Sequence, residues 1–164
     1  MNGEVIIKQL SQSDLPMVTV LIQTSFTTVA KEFGLTEQNC PAHTSFITTE
    51  KLQNHYDWGW LMYGLYRGGL FIGYVSLSKK SGGVFELHNL AVLPECRHMG
   101  YGTHLLDFCK QKIKETGGNK ISIGIIEENT ALKNWYAANG FVHIGTKKFT
   151  HLPFTAGYME WEAD

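Results

Sequence analysis

The chain has 164 residues, 43% of them hydrophobic and 18% charged, a composition that suits one core-bearing domain and excludes a disordered segment. Its formal net charge of −1, with no lysine- or arginine-rich run, argues against a nucleic-acid or anionic-membrane surface as the main partner. No apolar stretch is long enough to span a bilayer, and the start, MNGEVIIKQL, lacks a basic region followed by a hydrophobic run; a soluble cytoplasmic protein with one domain over residues 1–164 is expected.

EVIIKQL (4–10) reads as a first strand. SQSDLP offers Ser11 or Ser13 as a helix cap, tolerates Pro16 in the first turn and opens a helix to about Ala30. Residues 31–47 follow neither a helical nor a strand period and contain Gly34 and Pro41, which predicts a mobile connection with at most a short helical turn. TTEKLQNHYDW fits a second helix capped by Thr48 or Thr49. WLMYGLYR (60–67) and LFIGYVSLSK (70–79), joined by Gly68-Gly69, carry a strong hairpin signal, and SGG at 81–83 turns the chain into VFELHNLAVL (84–93).

After that strand, GTHLLDFCKQKIKE sets Leu105, Leu106, Cys109 and Ile113 on one stripe of an amphipathic helix that Gly117-Gly118 ends. NKISIGII (119–126) is a short buried strand, and NTALKNWYAAN a helix capped by Asn129 and closed by Gly140. FVHIGTKKF and AGYMEWEA are the last strands. The strands at 84–93 and 119–126 are linked through a helix, so they should be parallel neighbours with a right-handed crossover. The prediction is a mixed α/β fold: a mostly antiparallel seven-stranded sheet flanked by about four helices.

The junction PECRHMGYGTHLL (94–106) carries the chemistry. A strand end, two glycines and a helix start make an anion site, because first-turn N–H groups lack partners and carry the positive end of the helix dipole. Glycines let a phosphate come close, and Arg97 would add a cationic edge and Thr103 a hydroxyl. A tight turn with no ligand explains G-x-G equally well. A Walker loop is excluded because no lysine follows Gly102, and a dinucleotide fingerprint because Leu105 stands where its third glycine belongs. The three cysteines, Cys40, Cys96 and Cys109, have no regular spacing and read as reduced thiols. NCPAH sets Cys40 near His43, with His55 further on, but no second pair closes a four-ligand zinc site, so no metal is expected.

ELHNLAVLPECRHMGYGTHLL resembles the central motif of the GCN5-related N-acetyltransferase (GNAT) superfamily, [RQ]-x-x-G-x-[GA] after a strand ending in L-x-V-x-P, here Arg97, Gly100 and Gly102 after Leu90, Val92 and Pro94. NTALKNWYAANGFVHIG resembles the second motif at Asn129, Ala131 or Leu132, Tyr136, Gly140 and Phe141. The likeness is good over about residues 60–145 and elsewhere rests on element order. It implies a GNAT-like fold with a splayed parallel strand pair, acetyl-CoA as cosubstrate, and an amine-bearing acceptor that is a small molecule, protein or peptide. It also implies that the loop Arg97, His98, Met99, Gly100, Tyr101, Gly102 and Thr103 binds the pyrophosphate. Leu90, Ala91 and Val92 would bond the pantetheine arm through free backbone groups, with Asn129 and Lys133 among the cofactor contacts. His98 and Met99 depart from the small or basic residues the family often has there. A homodimer is common in the family.

For chemistry, the resemblance implies Tyr136 as the acid that protonates the leaving thiolate; a core tyrosine beside Trp135 is the other reading. Glu86 stands where several family members carry a catalytic glutamate. Strand alternation sets Glu86, His88 and Leu90 on one face, so either Glu86 or His88 could be the base, or a water chain could serve. Cys96 reads as a buried thiol rather than an acyl carrier, and Cys109 as core. The acceptor pocket is expected from residues 26–58 and 149–158, rich in aromatics (Phe26, Phe33, Tyr56, Trp58, Phe154) and histidines (His43, His55, His151) and poor in acids (Glu32, Glu37, Asp57). Such a lining suits a small amine or peptide end better than a polyamine. The alternative to an enzyme is a non-catalytic acyl-CoA-binding module, against which Asn129 and Tyr136 both speak.

Overall fold

The computed structural model describes residues 3–164. Strands β1 (Val5–Gln9), β2 (Leu61–Arg67), β3 (Leu70–Lys79) and β4 (Val84–Val92) are joined antiparallel in turn. The next strand, β5 (Lys120–Ile126), lies parallel to β4, and β6 (Val142–Lys148) and β7 (Thr155–Glu162) complete one sheet in the order β1-β2-β3-β4-β5-β7-β6. The predicted hairpins and the parallel crossover are all present.

Helices α1 (Leu15–Phe33) and α2 (Thr49–Asp57) cover one face of the sheet, and α3 (Tyr101–Glu115) and α4 (Thr130–Ala138) the other. Among the described residues no helix is long and apolar enough to cross a membrane. The start of α1 is set by Ser11, whose backbone N–H donates to Asp14 Oδ2 at 2.8 Å in a capping box over a 3-10 turn. The helix runs past the expected end at Ala30 to Phe33, where Gly34 at φ 65° stops it. Thr48, the expected cap of α2, accepts from the Lys51 N–H at 3.1 Å. The stripe of α3 is realised in full: Leu105, Leu106, Cys109 and Ile113 are 0% exposed, and each large apolar side chain so buried contributes about 1.5–3 kcal/mol.

The segment expected to be a mobile connection is packed instead. Leu35 and Cys40 are buried with Ala30 and Ile126, and Leu152 and Phe154 of the last loop close over them. Irregular backbone buries these side chains one at a time, so no period announces them.

Two features of β4 position the site. Its parallel pairing with β5 runs from Val84↔Lys120 to Glu86↔Ser122 and then stops, while β5 stays paired with β7 along its whole length. Beyond Glu86 the two strands diverge and leave a wedge with a free β4 edge. Within the same stretch β4 bulges: Ser76 faces His88 and Tyr74 faces Ala91, so Asn89, at φ 55°, and Leu90 share one partner position. The bulge corrects the expected alternation. Glu86 and His88 share a face, but Leu90 is turned over to pack with Leu87 in the α3-side core.

Candidate functional site

The loop after β4 begins with a 3-10 turn, Pro94–Cys96. The Arg97 N–H donates back to the Pro94 carbonyl at 3.3 Å, and the next bonded amide is that of His104, which donates to Gly100 O at 3.0 Å. Among the described residues the N–H groups of 98–103 therefore have no acceptor. His98 (φ 63°) and Gly100 (φ 86°) are left-handed, and alternating hands of this kind gather successive amides into an anion-binding concavity. Helix α3 starts at Tyr101 and adds its positive end.

The two glycines answer to different constraints. At Gly100 nothing lies within 4 Å of an added Cβ, so its positive φ is what selects glycine. At Gly102 a Cβ would stand 3.0 Å from the Trp135 ring, so close packing of α4 on α3 selects it. Arg97 also departs from expectation. Its guanidinium does not form a free cationic edge: it donates to Ser25 O, to Thr28 Oγ1 (2.9 Å) and, through Nε, to Val92 O (3.3 Å). It clips the loop to α1, and its own N–H is spent within the turn. Met99 is exposed, and Tyr101 Oη accepts from Arg67 at 3.0 Å.

Leu90, Ala91 and Val92 lie on β4 where the wedge opens. Across it, Asn129 caps α4, its Oδ1 accepting from the Leu132 N–H at 3.1 Å, which leaves its amide nitrogen to donate elsewhere. Lys133, expected among the cofactor contacts, has its Nζ 2.6 Å from Glu127 Oε2, and His143 Nε2 lies 2.8 Å from the other oxygen. Lys133 first and His143 second hold the Glu127 carboxyl below the usual carboxylate range. Tyr136 is 5% exposed, edge-on to Trp135 and Phe141 at 4.9 and 5.3 Å. Burial, with a smaller contribution from Cys109, pushes its phenol well above the ordinary value. Such a phenol keeps its proton and can act as a donor but not as a base. Cys96 and Cys109 are buried, and burial raises the Cys109 thiol to about 12.

On the α1–α2 face of β4 lies a cavity of about 170 Å³. Its wall is a stack of three rings: Trp60 lies parallel to His55 at 3.8 Å and to His88 at 3.9 Å. The stack crosses β3 over the small, buried Ser76 and Ser78. His88 Nε2 lies 2.8 Å from Ser78 Oγ and 3.2 Å from Glu86 Oε1, and Glu86 in turn pairs with Lys80 at 3.6 Å. Both imidazoles are held neutral. Burial is the main cause for each, lowering His55 and His88 to about 4, with help from Lys51 at His55 and Lys80 at His88.

Glu86 and His88 are thus brought together as expected, with His88 lining the cavity and Glu86 behind it. Of the aromatic and histidine residues expected around the acceptor, His55 lines the cavity, Trp58 is exposed beside it, and Phe154 packs near Ile126 instead. Thr44 and Lys51 of the wall fall within the expected stretch 26–58 without having been singled out, whereas Trp60 and Asn89 lie outside it. The serines alternating on β3 were the one available signal, since small residues on a sheet face invite large ones across them. Among the described residues no group of three His, Cys, Asp or Glu is placed to hold a metal ion, and His43 Nδ1 is engaged with Ser45 at 2.7 Å.

The model of the family described as "Acetyltransferase (GNAT) family" matches residues 30–141 of this chain. No curated protein is significantly similar in sequence. Among solved structures, the PaiA N-acetyltransferase of Thermoplasma acidophilum in complex with coenzyme A superposes with TM-score 0.80 at 21% identity, covering 98% of this chain and 99% of that one. The ribosomal-protein-S18-alanine N-acetyltransferase of Escherichia coli gives 0.78 at 17% identity over 97% and 94%. The structure of yncA from Salmonella typhimurium with its cofactor acetyl-CoA gives 0.71 at 14% identity over 99% and 95%.

Proposed function

Because the chain belongs to the GNAT acetyltransferase family, we propose that it moves an acetyl group from acetyl-CoA directly to a primary amine of a small molecule, protein or peptide. The observation that carries this reading is the β4–β5 wedge, with unbonded amides of 98–103 at one end and the His88 cavity beside it. The pyrophosphate sits on those amides, and the pantetheine runs along the free edge at Leu90 to Val92 within reach of the Asn129 carboxamide. Acetyl-CoA supplies the activated acyl group; the protein's residues orient it and move protons.

The amine must attack neutral. Burial lowers His88 to about 4 and holds it neutral, so it is a weak base that takes a proton only as an already neutral amine attacks; with its Nε2–H on Glu86 or Ser78, Nδ1 is the accepting nitrogen. The nitrogen–carbon bond forms as the carbon–sulfur bond breaks. The amine proton passes to His88, and the thiolate of CoA takes the Tyr136 proton, which solvent later restores. In this reading His88 is the base and Glu86 its supporting carboxylate.

Calorimetric titration with acetyl-CoA and CoA, with ATP as control, tests the cofactor site. Amine-dependent thiol release then tests transfer. Binding of both CoA species and not ATP, followed by release, is expected; binding without release for any amine would favour a non-catalytic acyl-CoA-binding module. No binding would overturn the reading.

A further inference from the structure

The cavity beside His88 carries a charge pattern that bears on what enters it. Lys51 is the one formally charged side chain on its wall, and among the described residues no carboxylate lies within ion-pair distance of that lysine. Glu86 stands behind His88, off the wall, and already meets Lys80. The rest of the wall is neutral: Thr44 and Asn89 are polar, Ile47 is apolar, and both faces of Trp60 are covered by imidazoles. His55 is 4% exposed, and its Nδ1 has no hydrogen-bond partner. That nitrogen is closed to water, so it adds no polar contact to the cavity wall.

An acceptor with a second cation would bring it against Lys51 with no carboxylate to compensate, and like-charge contacts are strongly unfavourable. An acceptor with an anionic group would meet an unpaired ammonium. The volume, about 170 Å³, is below the range of about 300–1,000 Å³ typical of drug-sized ligands, so the acceptor is small. Resting on the acetyl-transfer reading above, we propose that the acceptor is a carboxylate-bearing amine of amino-acid type, its nitrogen toward His88 and its carboxylate on Lys51. The ring stack fixes the wall.

The test uses the full chain with acetyl-CoA. Thiol release is measured for α-amino acids from glycine to phenylalanine, their α-amides, and a linear diamine. In parallel, occupancy of the CoA-bound protein by the same probes is read from the imidazole NMR signals of His55 and His88, which needs no turnover. The expected result is kcat/KM at least tenfold higher for the best acid than for its amide. Lys51→Ala should reduce that ratio to within about twofold, with the loss in KM, and Lys51→Arg should keep it; Lys51 is exposed on α2, so both variants fold. Amides or the diamine turning over as well as the acids would overturn the acceptor class and leave acetyl transfer standing. So would an unchanged ratio in Lys51→Ala. Carboxylate-selective occupancy without thiol release would support this site and count against catalysis, whereas no occupancy by any acid would overturn the proposal.

Discussion

On the wedge side of β4 the chain offers main-chain groups: the free edge at Leu90 to Val92 and the amides of 98–103. On the α1–α2 side it offers side chains, His55 from α2, Trp60 from the entry to β2, and His88 from β4 itself. A surface of amides needs only a backbone path, so a short motif of glycines at the right φ specifies it. A surface of side chains needs partners from separate elements to arrive together. The same strand thus carries one site that tolerates sequence change and one that a few substitutions would remake.

That partition can be broken most sharply by turnover. His88→Ala is expected to lower kcat/KM about 10²-fold or more while leaving acetyl-CoA affinity unchanged in calorimetry. A parallel fall in affinity would mean that the two sides are not separate. Tyr136→Phe should show the same pattern, with kcat cut about 10²-fold, and equal turnover would remove the phenol from the mechanism.

The glycines sharpen the same comparison from the other side. Gly102→Ala pushes a methyl to 3.0 Å from Trp135, and overpacking of this kind costs about 1–3 kcal/mol, read as a lower Tm. Gly100→Val forces a branched residue toward φ 86°, a conformation that costs about 1–2 kcal/mol, so acetyl-CoA affinity should fall about tenfold with far-UV circular dichroism unchanged. If Gly102→Ala weakened binding with no loss of Tm, the phosphate rather than Trp135 would be what selects that glycine.

The smallest effect is a dependence on pH. His55 and His88 titrate near 6.5 when unfolded and at about 4 in the fold, so between those values the unfolded chain binds more protons. Their contribution to stability is complete above pH 6.5 and is lost as pH falls toward 4. The urea midpoint should therefore drop between pH 7 and pH 5, and His55→Phe, which keeps an aromatic ring against Trp60, should flatten the drop. An unchanged slope in that variant would assign the pH dependence elsewhere.

Much of this is legible in the sequence. The stripe on α3, the hairpin at Gly68-Gly69, the Asn129 cap and the left-handed turn at Gly100 each follow from residues near one another in the chain. The parallel pairing of β4 with β5 follows from the crossover rule, and the pairing of Glu86 with His88 from alternation before the bulge. These were determined by the sequence itself, because periodicity, turn chemistry and strand alternation are local.

Other features waited on the tertiary structure. The bulge at Asn89 turned Leu90 to the α3 side, Arg97 turned from the loop onto Ser25 and Thr28, and Lys133 was taken by Glu127. Trp60 found His88 across β3, and the irregular segment after α1 found Phe154. In each case a side chain could satisfy more than one partner, and packing between distant elements selected which. The loop's amides had no such choice, which is why the glycine turn could be read from the chain, whereas the ring-lined cavity depended on packing between distant elements.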